Sequence, residues 1–282
     1  MEERSEKLPP ELVGPNFSNV FRIHVIVPIL VYFVLFRFAS RYVKTHYWQS
    51  FKGFKRYRLH NLSICFLHAL IVGTLNLLVM LTHPYEAYHE IIEWWSPFAS
   101  QIPLMSVAYF IHDAIDMLSY EWSKWTLELL FHHSATCLAL LCPSISDRFL
   151  FATSWALLME INSIFLHART ILQICGLSTK FPKVYEAIVY LNITTFFLFR
   201  IVFQLIFAYW AFTNRHRMHL YYLANGLLGE IVFAFINGLL LIRLLASDGL
   251  MPKNLRNKFA MTRDKSEDDD VKKQIGNGKK RD

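Results

Sequence analysis

Ionisable side chains recur at helical spacing inside apolar stretches of this sequence. One stretch carries imidazole, carboxylate and phenol groups at intervals of three and four residues, which places them on one face of a helix: Tyr109, His112, Asp113, Asp116 and Tyr120. A second stretch contains the adjacent pair His132-His133, with Glu128 and Thr136 on the predicted face of His132. A neutral imidazole near a carboxylate suits general-base catalysis. We therefore predict these catalytic residues: His132, His133, Asp113, Asp116 and Glu160.

Further apolar stretches extend this polar set. They contain Glu160, Asn162, Ser163, His167, Asn192, Arg200, Gln204, Glu230, Asn237 and His68. An ionisable side chain within a membrane span is costly and normally marks a function. We predict that a cofactor or cosubstrate is bound by His68, Arg200 and Asn237. The alternative role, interhelical hydrogen bonding that only holds helices together, is favoured for Ser163, Thr136, Asn192 and Asn237.

The histidine pattern argues against a metal centre. Membrane hydroxylases and desaturases hold two irons with several HxxHH-type clusters, whereas this chain has one adjacent pair and scattered single histidines. Adjacent helical residues also point about 100° apart, so His132 and His133 rarely share one ion. We predict no metal and no permanently bound cofactor. An alcohol or amine attacking an acyl-CoA thioester from the cytosol would fit a histidine base.

The elements that carry these side chains are predicted to cross a membrane. Hydrophobic residues make up 54% of the 282 and charged residues 18%, too little charge for a soluble surface. Apolar runs approach the roughly 20 residues that span a bilayer. The predicted spans are Ile23–Tyr42, Leu62–Leu81, Pro97–Leu118, Trp125–Cys142, Phe149–Ile171, Val184–Phe212 and Leu220–Leu245. This predicts an all-α polytopic membrane bundle of about seven transmembrane helices.

Loop charge predicts the orientation of this bundle. Basic residues follow the first, third and fifth spans, whereas the loop with Glu86, Glu90 and Glu93 has no Lys or Arg. The positive-inside rule therefore puts the amino terminus outside the cell or in the lumen and the tail in the cytosol. Residues 1–21 would be an external polar segment, 22–246 the transmembrane domain and 247–282 a disordered cytosolic tail. The polar residues then share the cytosolic half of the bundle, which predicts a polar cavity open to the cytosol.

Several smaller signals complete this picture. The net charge of +7 comes without a nucleic-acid-binding motif, so anionic lipid headgroups explain it better than nucleic acid. The four cysteines form no CxxC pair and are predicted to be buried thiols. Lys279-Lys280 has the spacing of a dilysine retrieval signal, which suggests cycling between endoplasmic reticulum and Golgi, or else a solvated charge run. Asn16-Phe17-Ser18 is a glycosylation sequon on the predicted external side.

Three strings of residues resemble the TLC domain, which ceramide synthases and TRAM translocon proteins share. They are YFIHDAIDML at 109–118, ELLFHH at 128–133 and LMEINS at 158–163. The resemblance covers about residues 57–245 and implies a six-helix barrel plus an amino-terminal helix. RLHNL at 58–62, HAL at 68–70 and DAIDML look most like the membrane-fluidity regulators, including the worm "fluidity" protein. That subgroup implies a plasma-membrane protein that limits phospholipids bearing long polyunsaturated acyl chains.

Two other functions stay open at the level of sequence. A ceramide-synthase-like acyltransferase would use His132 or His133 as base, but this chain has Glu160-Ile161-Asn162-Ser163 where the synthases show a histidine–aspartate cluster. A translocon or cargo-receptor role rests only on the dilysine tail and the breadth of the family. The expected partners are membrane phospholipids or acyl chains, and the oligomeric state is open.

Overall fold

Helices are the only regular secondary structure in the part of the chain that the computed structural model describes, residues 14–120, 122, 124–247 and 252. The chain forms two units, Met1–Glu230 and Ile231–Asp282. Helices of the first half are α1 (Ile23–His46), α2 (Gly53–Thr82), α3 (Glu86–His89), α4 (Gln101–Tyr120), α5 (Lys124–Leu140) and α6 (Cys142–Ser146). Those of the second half are α7 (Leu150–Leu157), α8 (Met159–Ile174), α9 (Leu177–Lys180), α10 (Pro182–Thr195), α11 (Phe203–Thr213) and α12 (Leu220–Ser247). Turns of 3₁₀-helix cover Phe17–Phe21 and Arg215–Arg217.

Within the described residues, six helical segments are long and apolar enough to cross a membrane, which confirms the predicted polytopic bundle. They are Ile23–His46, Gly53–Thr82, Thr126–Ser146, Leu150–Ile174, Pro182–Thr213 and Leu220–Ala246. The predicted span Pro97–Leu118 corresponds to α4, whose 20 residues suffice to cross but which is not one of the six. Its polar stripe lowers its hydropathy. A count of seven spans, and the orientation that needs an odd number, stay predictions.

Two predicted spans are not continuous α-helices. The span predicted at Phe149–Ile171 is divided at Leu158 into α7 and α8. In a regular helix the Ser154 carbonyl would accept only a backbone N–H. Here it also accepts a hydrogen bond of 2.8 Å from Asn76 Nδ2 of α2. A side chain that inserts into the helical hydrogen bonds in this way bends a helix. The span predicted at Val184–Phe212 contains a π-helix, Phe196–Val202, between α10 and α11. Apolar composition alone shows neither interruption.

The buried interior of the first unit lies where α2 packs against α8 and where α4 packs against α1, α2 and α5. Gly73 of α2 permits close approach, since a Cβ there would lie 3.2 Å from the carbonyl carbon of Glu160. Small residues serve this purpose in membrane helices. Large apolar side chains such as Phe38, Leu78 and Phe197 are exposed on the outside, as expected for helices that face lipid. The four cysteines are free thiols, two of them buried.

The described part of the amino-terminal segment packs onto the bundle. Asn19 Nδ2 donates to the Ile145 carbonyl at 3.0 Å, and Arg22 pairs with Asp147 at 2.8 Å. Asn16 Oδ1 accepts hydrogen bonds from the amide and hydroxyl of Ser18, so the sequon closes a turn on itself. Residues 1–13 and the predicted disordered tail, with Lys279 and Lys280, lie outside the described residues.

Candidate functional site

A carboxylate and an imidazole from neighbouring helices meet in the interior of the bundle. Asp113 Oδ2 of α4 lies 2.8 Å from His133 Nε2 of α5. The other carboxylate oxygen, Oδ1, accepts a hydrogen bond of 2.5 Å from Asn61 Nδ2 of α2. The side chains of His133 and Asp113 are 9% and 7% exposed, so water contributes little to this site. We call Asn61, Asp113 and His133 the inner carboxylate site.

The hydrogen bonds of the inner carboxylate site define the roles of the two imidazole nitrogens. An ionised carboxylate only accepts, so its bond to His133 requires a proton on Nε2. Nδ1 of His133 is buried and has no hydrogen-bond partner in the described part of the chain. In the neutral ring that nitrogen carries a lone pair. A carboxylate that fixes the tautomer while the opposite nitrogen stays open is the arrangement of a general base.

Asp116, one turn further along α4, has a different partner. Its carboxylate binds the ammonium of Lys44 at the end of α1. Their side chains are 8% and 41% exposed, so this pair reaches the boundary of the bundle. Asp116, one of the predicted catalytic residues, therefore links α4 to α1 through this ion pair. We call Asp116 and Lys44 the edge ion pair.

His68 of α2 lies in a second cluster of polar groups. Its Nε2 is 3.2 Å from Ser106 Oγ of α4, and its Nδ1 is 3.8 Å from Glu160 Oε2 of α8. Its ring stacks on Tyr109 with centroids 3.8 Å apart and planes 10° apart. Ser106 and His68 are 0% and 1% exposed. The structure thus brings the predicted residues His68 and Glu160 together across three helices.

The π-helix positions Arg200 towards α8. Its Nε donates to Asn162 Oδ1 at 2.7 Å, and its Nη2 donates to Ser163 Oγ at 2.8 Å. Asn162 in turn donates to Asn192 Oδ1 of α10 at 2.9 Å. The charge of Arg200 also interacts with Glu160. A π-helical turn often lies at a functional site, and here it brings a guanidinium into the interior of the bundle.

The buried face of α5 matches the predicted one only in part. Glu128, His132 and Thr136 were expected to share one inward face, but Glu128 is exposed and His132 is only half-buried. The buried face consists of Thr126, His133, Thr136 and Leu140. It is His133, not His132, that contacts Asp113. His132 contacts the edge of the Phe110 ring, with centroids 6.3 Å apart. Helical spacing groups residues correctly, but packing against α4 decides which group turns inward.

The remaining predicted residues have varied positions. Tyr120 lies at the end of α4 and stacks on Tyr57, so the predicted stripe leaves the interior there. His112 is buried against Phe36. Asn237 belongs to the second unit and is buried. Among the described residues, no group of three or more His, Cys, Asp or Glu side chains could hold a metal ion.

Sequence reasoning missed Asn61, Ser106 and Lys44 as partners of these groups. Asn61 precedes His68 by seven residues, a spacing that places both on one face of α2. That heptad was a usable signal. Ser106 likewise precedes Asp113 by seven residues on α4. Lys44 was counted only as loop charge, because its reach back into the bundle along a flexible stem is not visible in sequence.

A helical bundle that could cross a bilayer several times, with ionisable groups paired in its interior, defines an integral membrane protein with a buried polar site. The sequence model of the TLC domain matches residues 58–246, more than half of the chain. The chain therefore belongs to the TLC domain family, as the strings around Asp113, His133 and Glu160 predicted.

Relatives with curated names agree with this assignment. The chain is 32% identical over 193 residues to TLC domain-containing protein 2 of Danio rerio, covering 68% of this chain and 77% of that protein. It is 31% identical over 158 residues to TLC domain-containing protein 1 of Gallus gallus, covering 56% and 61%. TLC domain-containing protein 2 of Homo sapiens is 28% identical over 199 residues, covering 70% and 74%. No solved structure matches the chain.

Proposed function

We propose that this protein regulates membrane phospholipid composition by limiting the incorporation of polyunsaturated acyl chains, and that it does so by acyl transfer at the inner carboxylate site. Membership of the TLC domain family supports a role in membrane lipids. The resemblance of RLHNL, HAL and DAIDML to the membrane-fluidity regulators supports the more specific role. The observation that carries the chemistry is the open Nδ1 of His133 opposite its bond to Asp113.

The proposed reaction joins an acyl-CoA and a lysophospholipid. His133 Nδ1 takes the proton of the lipid hydroxyl, and the oxygen attacks the thioester carbonyl carbon. The carbon–sulfur bond then breaks, the imidazolium returns its proton to the coenzyme A thiolate, and the products are a phospholipid and coenzyme A. When a saturated or monounsaturated chain is transferred to the free hydroxyl of the lysophospholipid, a polyunsaturated chain can no longer be attached there. Asp113 stabilises the imidazolium, and Asn61 orients Asp113.

The interior position of this site suits lipid substrates. The hydroxyl of a lysophospholipid arrives with an acyl chain that already resides in the bilayer. Exposed apolar side chains on the outer helix faces allow such chains to approach the bundle laterally. Water competes poorly as an acyl acceptor where the reacting groups are less than one-tenth exposed. These features favour transfer of the acyl group to a lipid over hydrolysis, and they give no support to a translocon or cargo-receptor role.

The test is a variant that keeps the contact to Asp113 and removes the base. His133→Gln retains an N–H donor for the carboxylate but has no titratable lone pair. Purified protein in nanodiscs would be given oleoyl-CoA and lysophosphatidylcholine, and the new phosphatidylcholine measured by mass spectrometry. We expect activity to fall about 10²–10⁴-fold, the usual contribution of a general base. His46→Ala, an exposed histidine at the end of α1, is the matched control and should retain activity.

A cellular measurement links this activity to composition. Cells lacking the protein, fed a polyunsaturated fatty acid, should show less polyunsaturated phospholipid after return of the wild-type chain. His133→Gln should not restore this difference when the amount of folded protein is matched. Normal composition from a well-folded His133→Gln protein would overturn the proposal and leave the polar residues as interhelical hydrogen-bonding groups.

The plasma membrane is the proposed site of action, on the basis of the resemblance to the membrane-fluidity regulators. The Lys279-Lys280 tail supports a slower exit from the endoplasmic reticulum before that. Replacing both lysines by serine should raise the amount of protein at the cell surface in quantitative imaging. An unchanged distribution would identify the two lysines as a solvated charge run.

A further inference from the structure

The polar groups around His68 have the order of a nucleophile, a base and an acid. Ser106 Oγ lies 3.2 Å from His68 Nε2, and Glu160 Oε2 lies 3.8 Å from His68 Nδ1. The hydroxyl and the carboxylate thus address opposite nitrogens of one imidazole. Ser106 comes from α4 and Glu160 from α8, and His68 of α2 lies between them. Neither distance involves an atom of His133, so the cluster has its own contact geometry beside the inner carboxylate site, whose His133 acts electrostatically on both His68 and Glu160.

We propose that Ser106, His68 and Glu160 form a second catalytic centre, in which Ser106 is the nucleophile that accepts a long-chain acyl group. The serine–histidine–acid arrangement is recognised by geometry and roles, whatever the fold that supports it. A hydrogen bond of the working site is often longer in the empty protein, which accommodates the 3.8 Å between His68 and Glu160.

Neighbouring groups hold the three side chains in these roles. The ring of His68 is stacked on Tyr109 and contacts Phe36 edge-on, with centroids 3.8 and 6.1 Å away, so it cannot rotate freely. Gly73 lets the backbone of α8 approach α2 closely at Glu160.

The alternative role for Ser106 is an ordinary helix serine. Its hydroxyl lies 3.3 Å from the Ile102 carbonyl of its own helix, and that bond alone would satisfy it. It would not require an imidazole, nor a carboxylate behind the imidazole, at a site where burial of ionisable groups is expensive. Rotation of the hydroxyl from Ile102 to His68 Nε2 activates the nucleophile.

The reaction has two balanced steps. Ser106 Oγ attacks the carbonyl carbon of a fatty acyl ester or thioester while His68 Nε2 takes the hydroxyl proton. The bond to the leaving alkoxide or thiolate breaks, and that group receives the proton from the imidazolium, which leaves an acyl-serine. A lipid hydroxyl or water then gives its proton to His68 and attacks the acyl carbon, and Ser106 recovers its proton. The rings of Phe36, Tyr109 and Phe110 that pack around His68 make the surroundings of the hydroxyl apolar.

A covalent probe tests this assignment at the residue itself. Purified full-length protein in nanodiscs would be treated with a long-chain alkyl fluorophosphonate, and the adduct located by peptide mass spectrometry. We expect one adduct on Ser106, none in Ser106→Ala, and labelling about 100-fold slower in His68→Gln. Ser119→Ala is the matched control, because Ser119 lies on α4 and also donates to a carbonyl of its own helix, that of Ile115. Its labelling should equal that of the wild type.

A chromogenic ester extends the test to acyl transfer. With a long-chain p-nitrophenyl ester, wild-type protein should release a burst of nitrophenolate and gain the acyl mass on Ser106. Folded wild-type protein without an adduct on Ser106, or with equal labelling in His68→Gln, overturns the assignment, even if Ser106→Ala is too unstable to purify. Because the adduct is read on Ser106, this outcome is separate from phospholipid synthesis by His133.

Discussion

Asp113 and Asp116 lie one turn apart on the same helix and meet different surroundings. Asp113, in the inner carboxylate site, has two partners, the half-buried amide of Asn61 and the buried imidazole of His133. Asp116, in the edge ion pair, has a flexible cation whose side chain is 41% exposed. The Asp113 carboxylate orients an imidazole, whereas the charge of Asp116 is neutralised by a lysine that water also solvates.

Burial of the imidazole partner, rather than of the carboxylate itself, therefore separates a chemical role from a structural one. Both aspartates are buried and both looked equally catalytic in sequence. A lysine at the boundary is free to exchange its carboxylate for water, so its pair adds little energy. An imidazole enclosed by protein has no such alternative, and its proton position is fixed by the carboxylate.

Removing charge from each aspartate in turn is the strongest test of this comparison. Asp113→Asn keeps shape but cannot stabilise the imidazolium of His133, so acyl transfer should fall about 10²–10⁴-fold. Asp116→Asn should stay within a few-fold of the wild type. The measurement is phosphatidylcholine formation from oleoyl-CoA, normalised to folded protein. Equal losses in the two variants would contradict the division into a chemical and a structural carboxylate.

Asn61→Ala tests the role of the second partner of Asp113 in the inner carboxylate site. It removes the second partner of Asp113 and leaves the bond to His133. An interhelical hydrogen bond in a membrane protein contributes about 0.6–1.7 kcal/mol, so the free energy of unfolding should fall by that amount. Activity should fall further than folded protein does, because the carboxylate loses its orientation. Thr74→Ala, on an exposed face of α2, serves as the control.

A double-mutant cycle on Lys44→Met and Asp116→Asn measures the edge ion pair. We expect a coupling energy of about 0.5–1 kcal/mol, because one partner is solvated, and a decrease as salt is raised. Chemical unfolding in detergent at two salt concentrations gives both numbers. A coupling of several kcal/mol that ignores salt would mean that Lys44 is as enclosed as His133.

Arg22 and Asp147, at the other end of α1, supply the smallest effect. Their side chains are 39% and 48% exposed, so water solvates both partners, whereas Asp116 of the edge ion pair is only 8% exposed. Arg22→Ala should change the free energy of unfolding by about 0–0.5 kcal/mol and leave acyl transfer unchanged. A larger loss of stability would show that the contact of Asn19 with Ile145 depends on this ion pair.

Much of this protein could be predicted from composition and spacing. Apolar runs identified the membrane helices because a bilayer demands a fixed length of apolar side chains whatever the neighbouring helices are. The strings around Asp113, His133 and Glu160 identified the family, since they are local in the chain. Spacing along α4 also grouped His112, Asp113 and Asp116 correctly, and all three are buried.

Tertiary structure alone decided which of these groups meet. The rotation of α5 turns His133 inward instead of His132, and it is set by packing against α4, which no single helix encodes. At the division near Leu158, the Ser154 carbonyl accepts a hydrogen bond from Asn76, which lies 78 residues earlier in the chain. Asp113 and Asp116 of α4 have different partners for the same reason. Helical spacing fixes which residues share a face, and the neighbouring helices fix what that face contacts.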